Sequence, residues 1–390
     1  MACVVEAGGP QGRITVATRQ LGPGDVILRE IPAAVAPAAL SPTTCCHCLA
    51  SKKKQQQQRQ RQLWCESCGT HETSWCSKDC REQYSRQHEL ECCALNGVLG
   101  LLFRFPAVEL HAALLVLRIV VRRWLELGHV ERQLPPAFEN HVPSLEAAVS
   151  GQKFGAVMAL QTHQSALEAS QPCVFRQLQQ FSHCLAALLA SPAAATQSDT
   201  ASSAEVPPLG EGLGPADYLH LLCAVRINSF ALRPVEDSSS SSSSSSSSTG
   251  GGGTTAGTPR LRVEPVGAAL APRLAMLNHA CGESANCQVR QEKQQQADCP
   301  QAARQHEPCG VVLVLRARRA IAEGEELTFD YAGVVADWQK ADEHDGKARG
   351  AAKVGSYSSA GDQRRRWLQE TKHFHCTCAT CEREVARSCS

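Results

Sequence analysis

Between residues 45 and 92 the chain sets cysteines and one histidine at metal-ligand spacings: Cys45-x2-Cys48, Cys65-x2-Cys68, Cys76-x3-Cys80, then His88 and Cys92. These seven thiolates and one imidazole are the number that fills two tetrahedral zinc sites. A segment held in this way is folded by its ligands, so the spacing constrains the local fold more tightly than any hydrophobic pattern nearby. The stretch from Cys80 to Cys92 is compatible with a helix and would place His88 and Cys92 one turn apart on one face. A second thiol group lies near the end, where Cys376-x-Cys378-x2-Cys381 supplies three thiolates. A closed site takes four ligands, so the fourth must come from elsewhere.

The chain has 21 cysteines in 390 residues. In a secreted protein they would form a disulfide framework. The N-terminal run "MACVVEAGGPQGR" lacks the basic flank and apolar stretch of a signal peptide, so the expectation is reduced thiols that ligate metal. Net charge is +1, which gives no global field and argues against nucleic-acid or membrane binding by bulk electrostatics. The most apolar stretch, 109–127, is interrupted by His111, Arg118, Arg122 and Arg123 and reads as a buried amphipathic helix, not a membrane span. The chain is therefore expected to be soluble and to reside in cytoplasm, nucleus or both.

Residues 1–44 read as strand-rich, with a Gly-Pro-Gly turn between two β-branched runs that signals a hairpin. From Cys93 to about Leu189 the apolar spacing is helical, and a Pro/Ala/Ser connection follows. "DYLHLLCAVRINSFAL", from Asp217 to Leu232, reads as a helix running into a strand. Low-complexity runs at 52–62, 238–248, 291–301 and 340–362 read as loop expansions, because such compositions bury too little apolar surface to fold alone. The basic run from Lys52 to Arg61 suits either an anion or nuclear-import patch or a solvated loop.

The first cysteine group resembles a MYND finger, a zinc-binding protein-interaction module with interleaved ligand pairs. The resemblance implies that Cys45, Cys48, Cys76 and Cys80 share one zinc, and that Cys65, Cys68, His88 and Cys92 share another. "MLNHAC" (276–281) and "GEELTFDYAG" (324–333) resemble the SET domain of protein lysine methyltransferases, and the order of parts resembles the SET and MYND domain family. The resemblance implies that Cys281 joins Cys376, Cys378 and Cys381 on a third zinc. It also implies an α+β, SET-type fold of short, mostly antiparallel strands drawn from both ends of the chain. Its expected parts are an N-terminal SET portion at 1–44, the finger at 45–92, and a helical insert and linker at 93–216. The C-terminal SET portion at 217–335 and a post-SET zinc segment at 336–390 complete it.

By the same resemblance the activity is methyl transfer from S-adenosylmethionine to a lysine of a histone or non-histone protein, with peptide partners for the finger. Tyr331 would orient the lysine amine. Gly12, Arg13, Asn228, Asn278, His279, Tyr331 and Phe374 would line the cofactor site. Each has a plainer alternative: Asn278-His279 and Asn228-Ser229 suit ordinary turns, and Tyr331 suits a half-buried strand. The chain departs from the family pattern at Ile14, where glycine is usual, at Ala280, where serine is usual, and at Lys372, where a tyrosine is often seen. These departures support a competing expectation, a zinc-bound scaffold with weak or no catalysis. A nucleic-acid-binding finger is disfavoured, because Lys78, Asp79, Arg81, Glu82, Arg86 and Glu89 alternate in sign.

Overall fold

The computed structural model describes residues 3–7, 13–41, 43–50, 65, 73–127, 153–191, 208–233, 265–293, 310–331 and 360–388. Gly12, Cys68, the run at 52–62 and the serine tract lie outside the described residues. In chain order the strands are β1 (Cys3–Ala7), β2 (Arg13–Ala17), β3 (Val26–Glu30), β4 (Ala34–Pro37), β5 (Ser229–Leu232), β6 (Gly267–Leu270), β7 (Asn278–His279), β8 (Cys287–Lys293), β9 (Val311–Ala317) and β10 (Thr328–Phe329). The helices are α1 (Lys78–Leu102), α2 (Leu110–Leu127), α3 (Lys153–Met158), α4 (Gln164–Ser170), α5 (Pro172–Ala190), α6 (Pro215–Asn228), α7 (Ala360–Lys372) and α8 (Ala379–Ser388).

The strands form three small sheets: β1-β2, β3-β9-β8-β10-β7, and β4-β6-β5. Strands from the two ends of the chain pair, with Leu28 opposite Leu315 and Ala36 opposite Ala268. Pairing is antiparallel except at β10, which runs parallel to both β7 and β8. The sheets are thus mixed, and the parallel exception sits at the Asn278-His279 strand. Helix α6 passes directly into β5 at Asn228/Ser229, as the pattern of Asp217–Leu232 predicts.

The hairpin expected around Gly22-Pro23-Gly24 does not form. β2 pairs with β1, whereas β3 pairs with β9, so the two runs belong to different sheets. The turn is used instead to reach the C-terminal half: Gly24 N–H donates to Ala317 O at 2.8 Å, and Leu21 bridges Ile321. The local turn signal was real, but a seven-residue strand, buried at five positions, offers β3 a better partner than β2 does.

α2 is buried nearly all round because β4 and β6 cover one side while α1 and α6 cover others. Its one fully buried charge, Arg118, is met on every side. The guanidinium lies 3.5 Å from the Glu91 carboxylate of α1, donates to the backbone carbonyls of Val35 in β4 and Cys46 in the cysteine-rich segment, and sits 5.1 Å over the Tyr84 ring. Tyr84 Oη and Gln87 Nε2 in turn donate to Glu91, at 2.7 and 2.5 Å. The network joins the cysteine-rich segment, the helical insert and a sheet at one point. α1 itself runs without a break from the cysteine-rich segment into the insert, across residue 92. Among the described residues no helix is long and apolar enough to cross a membrane.

Breaking this pair on one side strands a buried charge, which typically costs about 3–5 kcal/mol. Glu91→Leu is expected to lower stability by about that amount in urea denaturation. Arg118→Leu combined with Glu91→Leu is expected to recover most of the loss, because two apolar side chains of similar size remove both charges together. A double variant as unstable as the sum of the single ones would show that the charges are not coupled.

Candidate active site and metal centres

A loop and two short strands build the first wall. Glu30, buried at the end of β3, accepts backbone N–H groups from Arg273 and Leu274 at 3.0 and 2.8 Å, which fixes the turn leading into β7. Burial pushes its carboxyl above the ordinary range. β7 then presents Asn278 and His279 beside β10. Asn278 Nδ2 donates to Arg13 O at 3.1 Å and to Glu326 Oε1 at 2.7 Å, tying β2 to the same wall. Asn286, buried two strands away, donates to Glu325 Oε1 and Glu326 O and accepts from Thr328 N, so it holds β10 in register.

His279 has its tautomer set by its neighbours. Tyr331 N–H donates to Nδ1 at 3.0 Å, which makes Nδ1 the acceptor and leaves the proton on Nε2, 3.0 Å from Cys281 Sγ. The 3.9 Å approach of Asp330 to Nδ1 is therefore not an ion pair. Gly282, at φ +53°, turns the chain immediately after Cys281 in a conformation that favours glycine, and its N–H donates to Asp330 Oδ2 at 2.8 Å.

Cys281 lies with the C-terminal thiols, the grouping that the family resemblance implies. The Sγ atoms of Cys281, Cys376, Cys378 and Cys381 all lie within 4.8 Å of one another, with Cys281 3.7 Å from Cys376 and 3.6 Å from Cys381. Cys45, Cys48, Cys76 and Cys80 form a second such group, with Sγ separations of 3.5 Å for Cys48–Cys76 and Cys76–Cys80. Cys65, His88 and Cys92 form a third, with Cys65 and Cys92 3.6 Å apart. A tetrahedron of Zn–S bonds near 2.3 Å requires S···S edges of about 3.8 Å, so these spacings suit a shared ion. Cys46 and Cys93, the neighbours that could have substituted, belong to none of the three groups: Cys46 is buried beside Arg118, and Cys93 is exposed. Within each tetrathiol group the thiols push one another apart in acidity. The hydrogen bond from Cys281 holds Cys376 well below the ordinary range, while that from Cys376 drives Cys281 up. Such mutual strain is what a shared cation relieves.

α7 and α8 hold the last three thiols in place through Arg364–Glu384 at 2.7 Å, Ser284–Thr380 at 2.7 Å, and the packing of Trp367 and Leu368 on the group. Between them His373 adopts the left-handed conformation, φ 57°, which glycine usually takes after a helix; it stops α7 and turns Phe374 inward.

The walls enclose a cavity of about 650 Å³ lined by Arg13, Asn228, Asn278, His279, Tyr331 and Phe374, among others. All the expected cofactor residues within the described part of the chain thus meet in one place. Their aromatic rings form a continuous surface: Phe329 to Tyr331 at 4.7 Å, Tyr331 to Phe374 at 6.2 Å, and Phe230 to Phe329 at 5.7 Å. Tyr331 Oη donates to Leu277 O at 2.5 Å, and burial, with the nearby Glu326 carboxylate, pushes its phenol up, so it keeps its proton at neutral pH. Asn228 spends both amide hydrogens on the carbonyls of Gln161 and Ala224, at 2.9 and 2.8 Å, which leaves only its oxygen for a ligand. Arg13 donates to Ala159 O at 2.9 Å. Ile14 is not among the lining residues. Lys372 is: its ammonium donates to Ile227 O and lies 5.8 Å from the Tyr331 ring centroid, and burial pushes it down to about 8.

Sequence reading missed Glu326 and the insert's share of the wall. Glu326 lay within the Gly324–Gly333 motif, so its position was the available signal. Ala159 and Gln161 contribute backbone carbonyls, which leave no mark on residue identity.

No curated protein matches the chain. Among solved structures, one described as the crystal structure of the SET domain of LSMT bound to lysine and AdoHcy aligns at 11% identity with a TM-score of 0.34. The alignment covers 85% of this chain and 49% of that one, so the chain spans about half the length of the structure it matches. A family model described as SET domain matches residues 12–332. Because that match takes in both the paired N- and C-terminal strands and the wall that carries Asn278, His279 and Tyr331, the chain belongs to the SET domain family.

Proposed function

We propose that the chain is an S-adenosylmethionine-dependent protein-lysine N-methyltransferase of the SET and MYND type. The observation that carries the reading is the gathering of Arg13, Asn228, Asn278, His279, Tyr331 and Phe374, from five separate parts of the chain, around one aromatic cavity. A cavity of about 650 Å³ is of a size to hold a nucleoside cofactor. S-adenosylmethionine, when bound, supplies a methyl group on a sulfonium leaving group. Aromatic faces favour a cation, and Phe329, Tyr331 and Phe374 offer them. The protonated Tyr331 hydroxyl, anchored on Leu277 O, presents oxygen lone pairs to a substrate amine and orients it without acting as a base. The buried aromatic rings of the wall disfavour the ammonium form of an incoming lysine, which must be neutral to attack.

On this reading residues 45–92 are a MYND finger that docks peptide partners, three zinc ions bind in all, and the substrate is a histone or non-histone lysine in cytoplasm or nucleus. Cys68 would complete the group of Cys65, His88 and Cys92. Fully ligated zinc has no open position, so its contribution is to hold the fold. A second reading, a zinc-bound scaffold with weak or no catalysis, is favoured by one observation: Lys372 places a cation beside Tyr331, where an incoming lysine must also fit.

Methyl transfer from labelled S-adenosylmethionine to proteins of a hypomethylated extract should label discrete bands. Tyr331→Phe should reduce the rate by about 10²-fold while leaving cofactor binding nearly unchanged. No label from folded, metal-replete protein would establish the scaffold. Metal analysis should return about three zinc ions per chain, and chelation should lower the melting temperature by about 5 °C or more. An unchanged melt after chelation would remove zinc from the fold.

A further inference from the structure

We infer that Lys372 is a self-methylation site, its ε-amine accepting a methyl group in the chain's own cavity. The inference rests on the methyltransferase reading and extends it to a substrate within the same chain. Lys372 is the one lysine among the described residues that lines the cavity shared by Tyr331, Asn278, His279 and Phe374. It is placed there by architecture, not by a mobile tail. α7 ends on it, His373 turns the chain in the left-handed conformation immediately after it, and four residues on, Cys376 is packed into the thiol group with Cys281. The side chain therefore runs from a fixed helix end to a fixed carbonyl, Ile227 O, and brings its nitrogen 5.8 Å from the Tyr331 ring centroid.

The chemistry of the amine fits the role. A neutral primary amine has two hydrogens and one lone pair; the Ile227 carbonyl takes a hydrogen, which leaves the lone pair available. Burial holds the ammonium down at about 8, so a neutral amine is reached near neutral pH far more readily than for an unperturbed lysine, which is neutral in fewer than about one in a thousand chains. In the transfer the nitrogen lone pair forms the N–CH3 bond as the S–CH3 bond of S-adenosylmethionine breaks. Sulfur keeps the bonding pair and becomes a neutral thioether, and the extra proton on nitrogen leaves to solvent. The product, a secondary amine, retains a hydrogen for Ile227 O.

The full-length, metal-replete chain incubated with labelled S-adenosylmethionine and a hypomethylated extract tests this. Cleavage after glutamate releases Thr371–Glu382, in which Lys372 is the only lysine. The expected result is label in that peptide, a mass shift of one or more methyl groups on Lys372, and a fractional rate that does not change when the protein is diluted tenfold. Label on extract proteins with Thr371–Glu382 unlabelled would overturn the inference and leave the methyltransferase reading standing. Label on neither would overturn both. Label in the peptide that slows in proportion to dilution would place the transfer between chains and overturn the claim that the amine reacts in its own cavity.

Discussion

Four thiols, one of them 95 residues before the nearest of the other three, hold this structure's cavity wall together. Cys281 belongs to the loop after β7, Cys376 and Cys378 belong to the segment linking α7 and α8, and Cys381 belongs to the first turn of α8. Through the His279 Nε2 to Cys281 Sγ contact, the group sets the imidazole, the imidazole receives Tyr331 N–H, and Tyr331 is aimed at Leu277. Phe374 and Lys372 enter the cavity because the same segment is pinned there. Without the four-thiol group, little beyond Arg364–Glu384, Ser284–Thr380 and the packing of Trp367 and Leu368 would keep α7 and α8 against the loop.

The rest of the fold is arranged to make that wall rigid from behind. Glu30 ties the turn before β7 to a strand from the other end of the chain, and Asn286 ties β10 to the loop after Cys281. Further out, Arg118 gathers the cysteine-rich segment, the insert and β4 around one buried charge, so these parts share a core. Buried charge pairs contribute little net stability against an apolar alternative, but they make a misplaced neighbour costly. Here the neighbours are three segments whose relative positions no single hydrophobic face could specify.

Of the departures from the family pattern, Ile14 and Lys372 fare differently. Ile14 takes no part in the cavity and sits in a regular ladder opposite Glu6. Lys372 lines the cavity and brings its amine to the face of the Tyr331 ring. It is the residue on which the enzyme and scaffold readings turn. Its position cannot be read from the helix that carries it, whose last turn would hold a lysine on its dipole whether or not a cavity lay beyond.

Ligand spacing was enough to group Cys45 with Cys48 and Cys76 with Cys80, because short cysteine intervals put thiols within reach of a common ion whatever the surroundings. Motif residues such as Asn278, His279 and Tyr331 could be named from the sequence because each carries its chemistry in its side chain. The β2–β3 hairpin failed for the opposite reason: a turn signal states that the chain reverses, not which strand it then joins, and β9 lay nearly three hundred residues away. The carbonyls of Ala159, Gln161, Ile227 and Leu277 were invisible for a related reason, since every residue has one. Sequence by itself determined which side chains could bind metal or act on a ligand. Tertiary structure alone decided which backbone atoms and which lysine would face them, because proximity between distant segments is a property of packing, not of residue type.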